Sequence, residues 1–268
     1  MKIGGIIGMK QEARVAVVTG AAQGIGRRTA ELLAERGYRL AIIDLRQPVE
    51  IVDAIESAGG EAFGYAGNIA DESVVEHFAA AVFDRFTHAD VLVNNAGISF
   101  ISPAEKTAAA DYRRVLEVNL VAPFLLAKAF GEKMLEARSG SIINVASVAG
   151  LLGISDRAAY NTSKHGLIGL TRTLAAEWGG RGVRVNAVCP GWVKTEMDVA
   201  DQANGSYSDA DITGRVPMGR FASADDIARA IAFLADERES PFINGHALSV
   251  DGGWAADGSW ESLRLKKR

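Results

Sequence analysis

The sequence predicts an α/β fold, one doubly wound parallel sheet with helices on both faces, and three observations point to it. From residue 14 onward, short runs that are apolar at most positions alternate with amphipathic stretches. A glycine-rich turn, residues 19–26, joins the first such run directly to the first amphipathic stretch. No internal repeat, heptad run or Ser/Gly-rich linker divides the chain, so a single domain is expected. Strands covered on both faces are apolar nearly throughout, whereas half-exposed strands alternate. Strand and helix in alternation build βαβ units, whose fixed handedness distributes the helices over both faces.

Taken in order, residues 14–19 (RVAVVT), 39–44 (RLAIID), 91–94 (VLVN), 141–145 (SIINV) and 183–188 (VRVNAV) read as strands. Residues 26–36, 71–86, 106–137 and 157–178 read as the helices between them. A further helix, 223–234, and a last apolar run, 247–250, close the domain, which spans 14–254. Residues 1–13 read as a flexible leader and 255–268 as a solvated tail ending in LKKR. The one long polar interruption, 196–214, carries Asp198, Asp201, Asn204, Gly205, Asp209 and Asp211. A segment of that kind inside a compact domain reads as a lid or binding loop.

Composition removes several classes of function. With 48% hydrophobic and 23% charged residues, the chain can bury a large core, which excludes disorder. Its 29 basic and 33 acidic residues give a net charge of −4, which excludes a generally basic nucleic-acid binder. Cys189 stands alone, so neither an internal disulfide framework nor a cysteine-based metal cluster is available, in keeping with a reducing compartment. At a strand end before Pro190, it reads as a small buried hydrophobe rather than a nucleophile. His77, His88, His165 and His246 show no metal-ligand spacing. The apolar run near the start is too short to span a bilayer. A cytoplasmic protein without a metal, a nucleic-acid partner or a membrane span is the expectation.

The turn Thr19-Gly20-Ala21-Ala22-Gln23-Gly24-Ile25-Gly26 has the properties of a phosphate loop. Gly20 lets the chain turn sharply, Gly24 lets backbone approach a pyrophosphate, and Gly26 lets helix and strand pack closely. The helix behind it offers free N–H groups and a positive dipole end. Glycine-rich turns are common, and it is the position after the first strand of a βαβ series that gives this one meaning. Asp44 ends the second strand, where a carboxylate meets the adenosine ribose hydroxyls; a helix cap or turn is its bland alternative. Two negative charges about 4 Å apart repel by ~1 kcal/mol in water and ~4 kcal/mol at a partly buried surface. Since ~1.4 kcal/mol is tenfold, a 2′-phosphate beside Asp44 is disfavoured by a decade or more, although Arg46 lies close enough in sequence to blunt the effect.

Tyr160 and Lys164 are four apart in a helical stretch and share a face. A free tyrosine is only ~0.1% ionised at neutral pH. A nearby ammonium favours the phenolate, and a shift of two or three units, ~3–4 kcal/mol, makes a usable general acid/base. Ser147, at the end of the 141–145 strand, is placed to hydrogen-bond a carbonyl oxygen. Taken alone, a Tyr-x-x-x-Lys pair is more simply an amphipathic helix with a snorkelling lysine.

In combination these stretches resemble the short-chain dehydrogenase/reductase family, a Rossmann-like fold, over residues 15–253. The resemblance rests on TGAAQGIG at 19–26, NNAG at 94–97, Asn119 within VNL, Ser147, YNTSK at 160–164, Pro190-Gly191 with Thr195, and DGG at 251–253. It implies that Tyr160 exchanges the proton, Lys164 lowers its pKa and binds the nicotinamide ribose, Ser147 holds the substrate oxygen and Asn119 positions a relay water. It also implies a cofactor site comprising Gly20, Gln23, Gly24, Ile25, Gly26, Asp44, Asn68, Ile69, Asn94, Asn95, Ala96, Gly97, Pro190, Gly191, Val193 and Thr195, with Tyr160 and Lys164. Asn68 stands where relatives usually carry Asp, and its amide still suits adenine. Gln23 and Leu45 occupy the two positions where NADP-preferring relatives carry a basic residue, which favours NAD.

The resemblance therefore implies an NAD-dependent secondary alcohol dehydrogenase acting on a sugar, polyol or related small molecule, and a homotetramer assembled through the helices at 106–137 and 157–178. A 3-oxoacyl-[acyl-carrier-protein] reductase using NADPH is the alternative. Asp44, Glu132 and the Asp-rich lid count against it, while Arg181 keeps one of that class's basic sites. A steroid or aromatic diol is a third substrate class. A non-catalytic dinucleotide sensor is the reading from a different class, although such proteins typically lose the tyrosine or lysine. Ser99, residues 148–157, Trp192 and the lid are expected to shape the substrate pocket. Asp156 is expected to cap the helix that carries Tyr160, with Arg157 a second polar candidate. Trp254 and Trp260 read equally as core and as subunit contacts.

Overall fold

In the computed structural model, which describes residues 13–203, 205, 207–260 and 263–264, β1 (Val15–Thr19) is buried at every position. It is hydrogen-bonded on both edges, Val17 lying between Ala41 and Leu92, and both its faces are covered by helices. An apolar run without alternation is what such a strand requires.

The remaining elements follow in βαβ order: α1 (Gly24–Glu35), β2 (Arg39–Asp44), α2 (Val49–Ser57), β3 (Ala62–Ala66), α3 (Glu72–Phe86), β4 (Val91–Asn94), α4 (Ala109–Leu116), α5 (Ala122–Ala137), β5 (Gly140–Val145), α6 (Ala158–Trp178), β6 (Val183–Pro190), α7 (Glu196–Gln202), α8 (Asp209–Arg215), α9 (Ala224–Ala235) and β7 (Ala247–Val250). They form one seven-stranded sheet in the order β3-β2-β1-β4-β5-β6-β7, parallel throughout. On one face Leu33 of α1 and Ile227 and Ile231 of α9 pack against Leu40 and Ile42. On the other, Phe78 and Val82 of α3 and Leu126, Phe130 and Met134 of α5 pack against Leu92 and Ile142. The expected Rossmann-like single domain is the observed one.

Three parts depart from the sequence expectation. The chain between residues 45 and 70 holds α2 and the edge strand β3, neither of which was assigned; β3 (AFGYA) is short, contains Gly64 and buries only Ala62 fully, so it lacks the apolar signature of the inner strands. The single helix expected over 106–137 is α4 and α5 joined by one π-helical turn, Glu117–Val121. The polar segment 196–214 folds into α7 and most of α8 rather than a loop. There, Ser208 Oγ accepts from the Asp211 N–H and the Asp211 carboxylate accepts from the Ser208 N–H, a capping box that starts α8. The expected leader, residue 13 apart, lies outside the described residues, as do 261–262 and the LKKR end, 265–268, of the expected tail. Among the described residues no helix is long and apolar enough to cross a membrane.

A buried polar chain ties the centre of the sheet to α6. Asn94 Nδ2 donates to Asn144 Oδ1 (2.9 Å), Asn144 Nδ2 donates to Thr171 Oγ1 (2.9 Å), and Thr171 Oγ1 donates to the Leu167 carbonyl (2.8 Å). All three side chains are essentially inaccessible, so each bond lost leaves a polar group without water. Asn144→Ala is therefore expected to destabilise the fold by about 2–3 kcal/mol, since orphaning a buried donor or acceptor costs about 1–3 kcal/mol each. Urea unfolding checks this; an unchanged midpoint would remove the network from the account of stability.

Candidate active site

Strand order reverses between β1 and β4, and in open α/β sheets the crevice opens at such a point, outside the carboxyl ends of the strands. A cleft of about 820 Å³ lies there, lined from Gly20 and Asp44 at one end to Tyr160 and Asp201 at the other.

The glycine loop is fixed by close packing. Gly20 has φ +66°, and a Cβ on it would stand 2.8 Å from Ala96 Cα. A Cβ on Gly26 would run into the Gly20 carbonyl oxygen, so the helix approaches the strand as closely as the sequence predicts. Asn95 Nδ2 donates to the Thr19 and Gly20 carbonyls, both at 2.9 Å, while Thr19 Oγ1 accepts from the Asn95 N–H (3.1 Å) and the Ala96 N–H (3.0 Å). Asn95 thus lines the cleft with its amide committed to the loop, beside Ala96 and Gly97. Asn94 does not line it, contrary to expectation, because its side chain points into the sheet and joins the Asn144 network.

Gln23, Gly24 and Ile25 line the cleft at the start of α1, where no side chain caps the helix and no acidic residue occupies the first turn. Such an end is suited to an anion. Asp44 faces it across the cleft, Oδ2 accepting from the Ala22 N–H (3.0 Å) and Oδ1 from the Leu45 N–H (2.7 Å). Asn68 and Ile69 complete this end, and Pro190, Gly191, Val193 and Thr195 form the opposite wall. Uncapped helix, glycine cradle and Asp44 together fit a dinucleotide.

At the far end Ser147 Oγ accepts from the Ala149 N–H (3.1 Å) and starts a single 3₁₀ turn. Tyr160 and Lys164 are one turn apart on α6, with Lys164 Nζ 5.6 Å from the tyrosine ring centre. Lys164 donates to the Val145 carbonyl (2.8 Å), and burial holds its amine down to about 8. The phenol of Tyr160 is raised above its ordinary value, chiefly by burial, with a hydrogen bond to Ser147 and the charge of Arg157 opposing and Asp201 reinforcing. Lys164 is not among the groups that act on the phenol, its ammonium being turned to the Val145 carbonyl, and desolvation dominates.

Asn119 lies in the π turn, fully buried beneath the cleft wall. Its Oδ1 accepts from the Ile98 N–H (2.8 Å), and its Nδ2 donates to the Ile98 carbonyl (2.9 Å) and Ser163 Oγ (3.1 Å). Both ends of the carboxamide are bonded to protein groups, so the side chain acts as a splint between residue 98 and α6. Asp156 does not cap α6 either. It sits at φ +59°, and Arg157 holds the cap position without a capping bond.

The far end of the cleft also holds a cluster that sequence spacing did not reveal. Arg157 Nη1 donates to Ser99 Oγ (2.9 Å) and Asp201 Oδ2 (3.0 Å), and Ser99 Oγ donates to the same oxygen (3.0 Å). Asp198, one turn before Asp201 on α7, accepts from the Tyr207 hydroxyl (3.0 Å). The expectation named Ser99, Arg157 and a lid, but their meeting depends on the sharp path of the chain into α7. Trp192 lines the cleft and stacks on Trp254 at 4.2 Å, with Arg215 of α8 over the second ring at 4.7 Å. Trp260 is exposed. Among the described residues no group of His, Cys, Asp and Glu is arranged to hold a metal.

Gly26→Ala is expected to abolish dinucleotide binding and lower the melting temperature by several degrees, because backbone rather than a flexible side chain must move; fluorescence titration with NADH and a melting curve check both. Cys189 is fully buried and burial pushes its thiol up to about 11. It should resist iodoacetamide at pH 8 in the folded protein and react after denaturation, as read by mass spectrometry.

Comparison with known proteins gives consistent neighbours. A family model described as enoyl-(acyl carrier protein) reductase matches residues 20–255. The chain is 41% identical over 245 residues to a D-threitol dehydrogenase of Mycolicibacterium smegmatis, covering 91% of this chain and 93% of that one. It is 39% identical to a 3-oxoacyl-[acyl-carrier-protein] reductase of Vibrio cholerae, covering 91% and 98%. Among solved structures, a putative NAD(P)-dependent gluconate 5-dehydrogenase of Beutenbergia cavernae with NADP bound at low occupancy superposes with a TM-score of 0.86 at 41% identity, covering 91% and 97%.

Proposed function

Since the chain belongs to the short-chain dehydrogenase/reductase family and is an oxidoreductase of CH–OH groups, we propose that it interconverts a secondary alcohol, a sugar, polyol or related small hydroxy compound, with its ketone, and prefers NAD. The observation that carries this reading is the Ser147, Tyr160 and Lys164 group at one end of a cleft whose other end is the glycine loop and Asp44.

Gly20, Gln23, Gly24 and Ile25 with the α1 terminus would hold the pyrophosphate, Asp44 the adenosine ribose, and Asn68 and Ile69 the adenine. Pro190, Gly191, Val193 and Thr195 would hold the nicotinamide end, where the bound cofactor supplies the hydride acceptor. In the oxidative direction the Tyr160 phenolate accepts the substrate hydroxyl proton, and Ser147 orients that oxygen by hydrogen bonding. Lys164 sits one helical turn along α6, where its positive charge favours the phenolate. The splint formed by Asn119 keeps residue 98 and α6 at a fixed distance, so the reacting groups need no rearrangement. The family resemblance also supports a cytoplasmic homotetramer assembled through α4, α5 and α6.

Preference for NAD rests on Asp44 and on Gln23 and Leu45 in the positions discussed above. The solved gluconate 5-dehydrogenase relative carries NADP, so both cofactors belong in the test. Reduction of NAD and NADP is to be followed across a panel of polyols, sugars and secondary alcohols. NAD should be favoured about tenfold or more, the factor worth ~1.4 kcal/mol. Tyr160→Phe should lose about 10²–10⁴-fold in kcat, the usual share of general acid/base catalysis, while still binding NADH. Turnover restricted to NADPH and acyl substrates would replace this reading with the acyl-carrier reductase one. Tight dinucleotide binding without turnover of any member would favour a sensor.

A further inference from the structure

We propose that Arg157 and Asp201, braced by Ser99, form a charge-balanced end wall of the cleft that selects a neutral polyhydroxylated substrate and rejects one bearing a carboxylate. The inference rests on the dehydrogenase reading and narrows its substrate class.

The three side chains come from separate parts of the chain: Ser99 follows β4, Arg157 immediately precedes α6, and Asp201 lies in α7. They close a ring in which Arg157 Nη1 and Ser99 Oγ both donate to Asp201 Oδ2 and Arg157 Nη1 also donates to Ser99 Oγ, at 2.9–3.0 Å. The Arg157 and Asp201 side chains are only 11% and 16% exposed, so little water screens them. Arg157 is the residue before α6 and lines the same cleft as Tyr160, three residues further on. Asp198 adds a second carboxylate to the same wall. Its Oδ1 accepts from Tyr207 (3.0 Å), and its Oδ2 is an ion-pair partner of Lys194 (3.3 Å).

The charges decide what can bind. The guanidinium at this end is already matched by Asp201, and Lys194, which pairs with Asp198, also bonds Asp209 on α8 at 2.6 Å. A substrate carboxylate entering here meets two largely buried carboxylates and cations that are in use. Repulsion between like charges is strongest where solvent is excluded. A hydroxyl, by contrast, both donates and accepts, so it joins a ring of hydroxyl, guanidinium and carboxylate without leaving a charge unmatched. Rejection by an unmatched like charge is an effective source of specificity.

The experiment compares kcat/KM, with NAD, for matched pairs: a polyol, and the aldonic acid that differs from it by a terminal carboxylate. The wild-type enzyme should favour the polyol at least tenfold. Asp201→Asn leaves Arg157 unmatched and should shift that ratio tenfold or more toward the acid, mainly through KM, while Asp201→Glu should restore the polyol preference. A wild-type enzyme that turns over the acid as well as the polyol overturns the inference and leaves the dehydrogenase reading standing. So does an Asp201→Asn variant that loses activity on both members equally, since a merely structural lid contact would behave that way. Absence of turnover with either member, despite NADH binding, overturns both together.

Discussion

The Asn95 carboxamide, donating at once to the carbonyls of Thr19 and Gly20, joins the exit of β1 to the exit of β4. These are the two strands between which the sheet reverses direction, and their following connections leave on opposite faces. The crevice exists only because the two exits stay at a fixed separation. Thr19 adds two bonds in the return direction through its hydroxyl, so the carbonyls that the turn would leave bare are satisfied before any ligand arrives. Gly20 and Gly26 follow from this constraint: with the exits so close, neither position has room for a Cβ.

The same economy of space governs the proton chemistry. Lys164 is buried and Tyr160 half-buried on the α6 face that closes the cleft, and desolvation moves both away from their charged forms, the phenol upward and the ammonium downward. Two groups so disposed are a protonated acid and a readily neutralised base until something changes the local field. Arg157 and Asp201 act on the phenol in opposite senses, so the proposed substrate wall is electrically linked to the proposed proton-exchanging group. A substrate that disturbs the wall also changes the proton affinity of the tyrosine.

The residues at the centre of the candidate site were legible because their patterns are local. The glycine spacing, the Tyr160–Lys164 pair and the position of Asp44 at a strand end are short-range patterns, and β1, β2, β4, β5 and β6 announced themselves by runs apolar at most positions. The side chains of Asn94 and Asn119 face the fold, which their motifs did not disclose. A polar side chain in a motif can face either the ligand or the fold, and only the three-dimensional path of Asn144, Thr171 and Ile98 decides which. The Arg157–Asp201 pair is 44 residues apart in sequence, and no periodicity links them. Nor did polarity alone disclose α7 and α8; Ser208 three residues before Asp211 was the available signal.

The π turn at Glu117–Val121 also sets the phase of everything that follows it. Each residue advances an α-helix by about 100°, so one residue accommodated in a wider turn rotates the whole of α5 by that angle relative to α4. Leu126, Phe130 and Met134 meet the sheet because of this offset, while Phe124 faces outward. Removing a single residue here would tidy the hydrogen-bond ladder and yet swing the apolar stripe of α5 off the sheet. Insertions and deletions in this stretch are therefore constrained by angular phase rather than by length, and the irregularity that buries Asn119 is also the gear that keeps two helices in step.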